Sequence, residues 1–407
     1  MPVMPGTGRA LDICLVTETF PPEINGVAMT LGRLVTALAA RHRVTVVRPR
    51  QDADAPGAQT VDHGAWREEL RPGFTIAKAG VRFGWPAGGY FARSWTSRRP
   101  DVVHIATEGP LGWSALRAAE RMQLVISSSF HTNFHDYSRY YGIGALHGLV
   151  SRYLRSFHNR AVRTLVPSRD LLDTLAAQGY RNLAMFGRGV DTALFTPARR
   201  DAALRRAWDA EEHTLVLLHV GRVAPEKNMP VAFEAYRRIL AQRPDARLVV
   251  VGDGPLRAAY AAAQPRVRFT GALVGEALAR AYASADLFLF PSLSETFGNV
   301  ALEAMASGLP AVAFDYAAPN RHIRHAWNGW LAPYGDTPTF LAMAESAAAS
   351  AKTLRIFGER ARTSALDVPW ATVFQQFVAE LQAAVDERHA LGVVHEPCLA
   401  LHGPFMR

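Results

Sequence analysis

Two glutamates with seven residues between them, Glu295 and Glu303, are the residues of this 407-residue chain whose type and spacing point most directly to chemistry. They lie in Ser294-Glu295-Thr296-Phe297-Gly298-Asn299-Val300-Ala301-Leu302-Glu303-Ala304-Met305-Ala306-Ser307-Gly308, where Gly298 predicts the opening of a helix and Gly308 its end. Glu303 is the only charged residue of that helix. Its neighbours from Val300 to Ala306 are apolar, so the helix is expected to be buried on most sides and the carboxylate desolvated unless something pairs with it. A ribose diol is a suitable partner. Glu295 sits just ahead of the helix N-terminus, where the dipole favours anions, and its carboxylate can accept hydrogen bonds from sugar hydroxyls. The plain structural alternative is one carboxylate as a helix cap and the other in an internal salt bridge.

A second group is Gly221-Arg222-Val223-Ala224-Pro225-Glu226-Lys227-Asn228, which follows an apolar strand-like run. Lysine occurs only at positions 78, 227 and 352 in a chain whose basic residues are otherwise arginine, so Lys227 on a loop with Arg222 stands out. A guanidinium grips phosphate oxygens bidentately while an ammonium acts as a mobile point charge. Together they suit a diphosphate and offset the charge that grows on a departing nucleoside diphosphate. The third group, Thr17-Glu18-Thr19-Phe20-Pro21-Pro22-Glu23-Ile24-Asn25-Gly26-Val27, sets Gly26 at a helix start, where backbone can approach an anion. It is not Gly-x-Gly-x-x-Gly, which disfavours a nicotinamide or flavin cofactor. His131 and His135 have a metal-ligand spacing but no third ligand nearby, so no metal is expected.

These loops need strands to carry them. Short β-branched runs alternate with helical stretches from end to end, the pattern of parallel sheets covered by helices on both faces. The first half gives Asp12–Val16, Val44–Val47, Val102–Ile105, Leu124–Ser127, Thr164–Val166 and Leu183–Phe186, with helices such as Val27–Ala40 and Arg169–Gln178 between several of them. An arginine-rich stretch at Pro197–Glu212 interrupts the pattern and reads as a linker. The pattern restarts with Leu215–Val220, Leu248–Val251, Val267–Phe269, Leu287–Phe290 and Ala311–Phe314. The expected organisation is one α/β doubly wound domain over 1–197, a second over 198–368, a helix over 369–390 that packs on either domain, and an irregular tail over 391–407. In such sheets ligands bind outside the carboxyl ends of the strands, where the three groups above fall.

Composition narrows the class. A hydrophobic content of 49% with 20% charged residues is ordinary for a globular chain, and no apolar run reaches the ~18 residues that span a bilayer. The first residues lack the order of a signal peptide, and two cysteines, Cys14 and Cys398, imply no disulfide framework. A cytoplasmic location follows. The formal charge of +9 points to anionic partners.

The Asn25-Gly26-Val27 loop, the Arg222/Lys227 loop, the strand end Val250-Val251-Gly252-Asp253-Gly254-Pro255 and the glutamate pair, in that order and spacing over roughly residues 11 to 385, together resemble the retaining glycosyltransferases of family four. Thr17–Val27 and Phe130-His131-Thr132-Asn133-Phe134 are most similar to the GDP-mannose-dependent α-mannosyltransferases and their glycolipid-forming relatives. The resemblance implies the GT-B architecture: two Rossmann-like domains facing across a cleft, with a C-terminal helix that crosses back to the first. It implies a donor site in which Glu303 binds the ribose, Glu295 the transferred sugar, Arg222 and Lys227 the diphosphate, with backbone N–H groups near Gly26 and at Phe297, Gly298 and Asn299, and with Gly252, Asp253 and Gly254 at a neighbouring strand end. It places His131 beside the sugar and requires no catalytic metal. The chain departs from the family in having one glycine at Gly26 where many members have two, and Asn320-Arg321-His322 where many have a glycine-rich loop.

The implied reaction transfers a hexose, mannose favoured, from a nucleoside-diphosphate sugar to a lipid or glycan hydroxyl with retention at the anomeric carbon. GDP-mannose is the favoured donor and a UDP-sugar the other. Catalysis falls to His131, Arg222, Lys227 and Glu295. The alternatives are a sugar-nucleotide epimerase of the same architecture and a non-enzymatic two-domain ligand-binding protein. Nucleic acid is not expected, for want of a clustered aromatic-plus-basic module. Two stretches, Arg82–Trp95 and Tyr137–Arg163, mix large aromatics with arginines, a composition suited to peripheral contact with an anionic membrane on its inner face.

Overall fold

A computed structural model describes residues 9–23, 25–76, 81–130, 147–295 and 297–390. The central runs become strands because they are buried on both faces, as at Val102–Ile105, Val216–Val220, Leu287–Phe290 and Ala311–Phe314, so every side chain gains from burial whichever way it points. Contacts divide the chain into two units, the described part of the first being 9–23, 25–76, 81–130, 149–186 and 374–390 and of the second 147–148, 187–295 and 297–373.

In the first unit the strands are β1 (Asp12–Val16), β2 (Arg43–Pro49), β3 (Thr60–Asp62), β4 (Trp66–Arg71), β5 (Gly73–Ile76), β6 (Val81–Gly84), β7 (Val102–Ile105), β8 (Val125–Ser129), β9 (Arg163–Val166) and β10 (Leu183–Met185). Eight of them form one sheet in the order β10-β9-β8-β7-β1-β2-β4-β3, parallel except for β3, which pairs antiparallel with β4 at the edge. The strands β5 and β6 make a separate hairpin. Helices Gly26–Leu38, Gly88–Ser97 and Pro110–Arg121 supply covering layers, with Phe91, Trp95, Leu111 and Ala115 packed on Cys14, Val16, Val103 and Ile105. Burial pushes the Cys14 thiol up to about 12, so it is an inert core residue.

The second unit holds β11 (Val216–Val220), β12 (Arg247–Val251), β13 (Val267–Gly271), β14 (Leu287–Phe290), β15 (Ala311–Phe314) and β16 (Trp330–Ala332), all parallel, in the order β13-β12-β11-β14-β15-β16. This is the 3-2-1-4-5-6 order of a dinucleotide-type sheet. The two-residue period of a strand sends neighbours to opposite faces. Val216, Leu218 and Val220 enter one core with Phe288 and Phe290, while Leu217 enters the other with Leu287 and Leu289.

Two sequence expectations are corrected here, while the C-terminal helix goes where the resemblance implied. The stretch Pro197–Glu212 is not a free linker but part of the second unit: Trp208 and Ala210 are in its core, and the buried Arg205 guanidinium donates to the carbonyls of Ser284, Glu211 and Thr214 and to Asp286. The strands β3 to β6 and β16 were not expected. The helix Trp370–Ala390 belongs to the first unit from Phe374 onward, where Phe377 packs against His104 and Phe186 at centroid distances of 4.9 and 5.0 Å and Glu380 and Glu387 pair with Arg163.

Candidate functional site

In the second unit β11 and β14 are neighbours whose onward connections diverge, which opens a crevice at their carboxyl ends. From β11 the chain passes Gly221 and Arg222, buries Val223 and Ala224, makes a single 3-10 turn over Pro225–Lys227 and enters helix Met229–Gln242 through Asn228 in the left-handed region, φ 51°. From β14 it reaches Glu295. The two loops are clasped: the Lys227 ammonium donates to the Glu295 carboxylate, with side chains 16% and 12% exposed, and Leu293 N–H donates to the Glu226 carbonyl at 3.1 Å. In this structure Glu295 is therefore paired with a cation, as the plain structural alternative foresaw, and that cation is the lysine expected at a diphosphate. Beneath the loop His219 is fully buried with Nδ1 3.0 Å from the Leu289 carbonyl. Burial lowers its pKa to about 4, so the ring is neutral.

Gly298 precedes helix Asn299–Ala306 in the left-handed region, φ 92° and ψ 53°, and as the N-cap residue it has no side chain with which to cap the first turn. A helix N-terminus beside a lysine is a ready arrangement for an anion. Asn299 Oδ1 is buried without a hydrogen-bond partner among the described residues. Phe297 is a core residue whose carbonyl accepts from Ala318 N–H at 2.7 Å, and its ring meets His322 edge-on. Glu303 is half-buried rather than enclosed, and the hydroxyl of Tyr282 donates to its Oε2 at 3.1 Å. Tyr282 escaped the sequence reading because it is an apolar-patterned residue of a different helix, Gly275–Ala283.

Gly252 and Gly254 act on the site through their backbone. A Cβ at Gly252 would lie 1.8 Å from the Gly221 carbonyl oxygen, and one at Gly254 would lie 2.4 Å from that of Val223. Their bareness lets the end of β12 brace the Arg222 loop, with Val223 N–H donating to the Asp253 carbonyl at 2.9 Å. The Asp253 side chain accepts from Gly254 N–H at 2.7 Å and pairs with Arg257.

In the first unit Gly26 begins its helix as expected, but Asn25 Oδ1 already caps Val27 N–H and Ala28 N–H at 3.1 and 2.9 Å, so the expected free donors there are largely used. A Cβ on Gly26 would touch nothing within 4 Å, so packing within the chain does not demand glycine at that position. The helix Pro110–Arg121 follows β7, the neighbour of β1, and its N-terminus receives Glu18. That carboxyl accepts from Leu111 N–H at 2.9 Å and from Gly112 N–H and Gly84 N–H. Glu108 lies close by and meets His158 Nε2 at 3.0 Å, with His158 Nδ1 2.9 Å from the Ser128 hydroxyl. This buried chain fixes the end of β8, from which Phe130 leads into residue 131. His131 and His135 lie outside the described residues.

Burial, reinforced by the charge of Glu108, raises the Glu18 carboxyl from 4.5 to about 7 against the pull of its backbone donors. A folded chain that binds this proton more tightly than the unfolded chain loses stability as pH rises from roughly 4.5 to 7, by an amount on the order of 3 kcal/mol. Glu18→Gln removes the titration, so its denaturant-derived stability is expected to change less between pH 5 and pH 8 than that of the parent. Equal slopes in the two chains would refute this.

The arginine-rich surfaces are largely self-satisfied. Arg199, Arg200 and Arg280, which line one surface depression, pair with Glu276, Asp286 and Asp201. In the aromatic stretches Phe91, Trp95, Leu154 and Phe157 are core residues, Arg82 pairs with Asp52 and Arg160 with Glu120, while Trp85 and Leu149 are 55% and 65% exposed. Residues 137–146 lie outside the described part.

The family model described as Glycosyltransferase Family 4 matches residues 24–194, and that described as Glycosyl transferases group 1 matches residues 214–350. A GDP-mannose-dependent alpha-mannosyltransferase of Mycolicibacterium smegmatis is 33% identical over 92% of this chain and 98% of its own length. One of the same description from Mycobacterium tuberculosis is 31% identical over 92% and 97%. Among solved structures, sucrose-phosphate synthase from Thermosynechococcus elongatus superposes with a TM-score of 0.72 at 18% identity, covering 94% of this chain and 99% of its own. HepE from Anabaena in complex with UDP and glucose gives 0.70 at 18%, covering 92% and 100%. The two sheets, the likeness to these structures and the two family models show a glycosyltransferase of the GT-B fold. The chain belongs to glycosyltransferase family 4, and with it to the hexosyltransferases.

Proposed function

We propose that the chain transfers mannose from GDP-mannose to a hydroxyl of a lipid or glycan acceptor, with retention of anomeric configuration. The observation that carries this reading is the clasp of Lys227 on Glu295 beside the helix N-terminus at Gly298. In the proposed complex the diphosphate takes Lys227 and Arg222 together with the N–H groups of Gly298 and Asn299, Glu295 turns to the hydroxyls of the transferred sugar, and Glu303 holds the ribose. The bond from the anomeric carbon to the phosphate oxygen breaks and the acceptor oxygen bonds to that carbon on the same face. The acceptor's proton passes to the departing phosphate oxygen. Two cations stabilise the negative charge that develops there. His131 takes the place beside the sugar, and Gly26 offers close backbone approach.

The GDP-mannose-dependent relatives, aligned over nearly their whole length, support the donor. No helix among the described residues is long and apolar enough to cross a membrane. For a lipid acceptor, contact is peripheral, and the exposed Trp85 and Leu149 of the first unit are the proposed points of entry.

A panel of GDP-mannose and UDP-hexoses, scored by release of nucleoside diphosphate in the presence of lipid extract and followed by mass and NMR analysis of the product, tests the proposal. GDP release with an α-mannosylated product is expected. Release from a UDP-sugar alone overturns the donor assignment, an inverted product overturns the stereochemistry, and isomerised donor without transfer overturns both. Cosedimentation with anionic but not neutral vesicles, weakening as salt screens the surface, is expected for the membrane contact.

A further inference from the structure

We propose that Tyr282 is a positioning residue for the donor's ribose: its hydroxyl holds Glu303 Oε2 and aims that carboxylate at the diol. This rests on the reading of Glu303 as the ribose ligand. Tyr282 is fully buried in helix Gly275–Ala283, and its ring is held edge-on by Phe195 and Phe288 at centroid distances of 5.7 and 5.9 Å. A phenol fixed on two sides has one place to put its hydroxyl, and that place is 3.1 Å from Glu303 Oε2. Burial and the neighbouring Glu303 charge keep the phenol protonated, so it donates. A carboxylate can only accept, and it has room for several donors at once. The tyrosine therefore fixes the rotamer of Glu303 while leaving it able to accept from ribose hydroxyls. Without this contact the glutamate of a mostly apolar helix gives up a charge-assisted hydrogen bond that helps to set its direction.

The test compares the binding of GDP with that of 2′,3′-dideoxy-GDP, which lacks both hydroxyls, by calorimetry on the full chain. The parent is expected to prefer GDP. Tyr282→Phe is expected to weaken GDP about tenfold, the worth of one hydrogen bond to a charged group, and to leave the dideoxy compound nearly unchanged, so that the preference collapses. Equal weakening of both ligands marks a structural role and overturns the proposal, as does an unchanged preference. Glu303→Ala separates this from the reading beneath it. If the preference survives in Glu303→Ala, the ribose assignment itself fails. If it is lost there but kept in Tyr282→Phe, only the tyrosine's role fails. Adding Tyr282→Phe to Glu303→Ala is expected to change GDP binding no further, and a thermal melt of each variant confirms that it is folded. Where the donor panel selects uridine, UDP and 2′,3′-dideoxy-UDP replace the guanosine pair.

Discussion

Lys227→Ala is expected to lower kcat/KM by about 10²-fold or more, the loss that follows removal of one preorganised donor to developing charge. Two effects act in the same direction. The departing nucleoside diphosphate loses a cation fixed at the end of a 3-10 turn, and Glu295 loses the partner that neutralises it in a site where both side chains are mostly buried. An uncompensated carboxylate then faces an anionic donor. Lys227→Arg is expected to recover only part of the activity, because a planar fork on a longer arm does not repeat a mobile point charge. Steady-state kinetics with the donor, beside a thermal melt, decides the matter. A kcat/KM within threefold of the parent in a folded Lys227→Ala chain would remove the lysine from the mechanism.

The second large effect concerns the fold of the same loop. Gly252→Ala sets a methyl 1.8 Å from the Gly221 carbonyl oxygen and 2.9 Å from its carbon, and both are backbone atoms that no rotamer can move. The loop must part from the end of β12, straining the bonds from Gly221 N–H to the Val251 carbonyl at 3.0 Å and from Val223 N–H to the Asp253 carbonyl at 2.9 Å. Destabilisation of about 3 kcal/mol or more is expected, at the upper end of overpacking effects, with donor binding impaired. Gly26→Ala is the contrast, because the space beside Gly26 is open. Its stability should stay within about 0.5 kcal/mol of the parent, whereas its activity falls if the donor approaches that backbone. Urea unfolding of the two variants separates these outcomes, and a Gly252→Ala chain as stable as its parent would contradict the packing described here.

The parallel sheets were legible because their strands are continuous apolar runs, as at Val216–Val220 and Leu287–Phe290, and such runs need no partner to be recognised. The strand Trp66–Arg71 was not. It reads Trp-Arg-Glu-Glu-Leu-Arg, and its buried Glu68 is held by Arg48 on the neighbouring strand β2 and by His63. The pairing spans distant sequence and leaves no local period. Arginine misled in the same way at Arg205, whose charge suits solvent but whose two terminal nitrogens here hold the backbone carbonyls of Ser284, Glu211 and Thr214 and the Asp286 carboxylate. The residues of the candidate site, Arg222, Lys227 and Glu295 on loops and Glu303 on a helix, stood out because a rare lysine in a loop and a charge in an apolar neighbourhood are themselves signals. Tyr282 and Glu18 gave none, since what each does depends on a helix far away in the chain.

The carboxyl of Glu18 occupies the helix N-terminus beside β1 and β7 in the first unit, with Glu108 near it. Around β1 that sheet repeats the arrangement found around β11, with β2 then β4 to one side and β7 to β10 to the other. A chain with two such sheets could in principle take two nucleotides. Here the N–H groups that would greet a phosphate in the first unit already serve a side chain, and an arriving diphosphate would meet two acids instead of a lysine. Calorimetric titration with a nucleoside diphosphate should therefore saturate at a stoichiometry of one per chain.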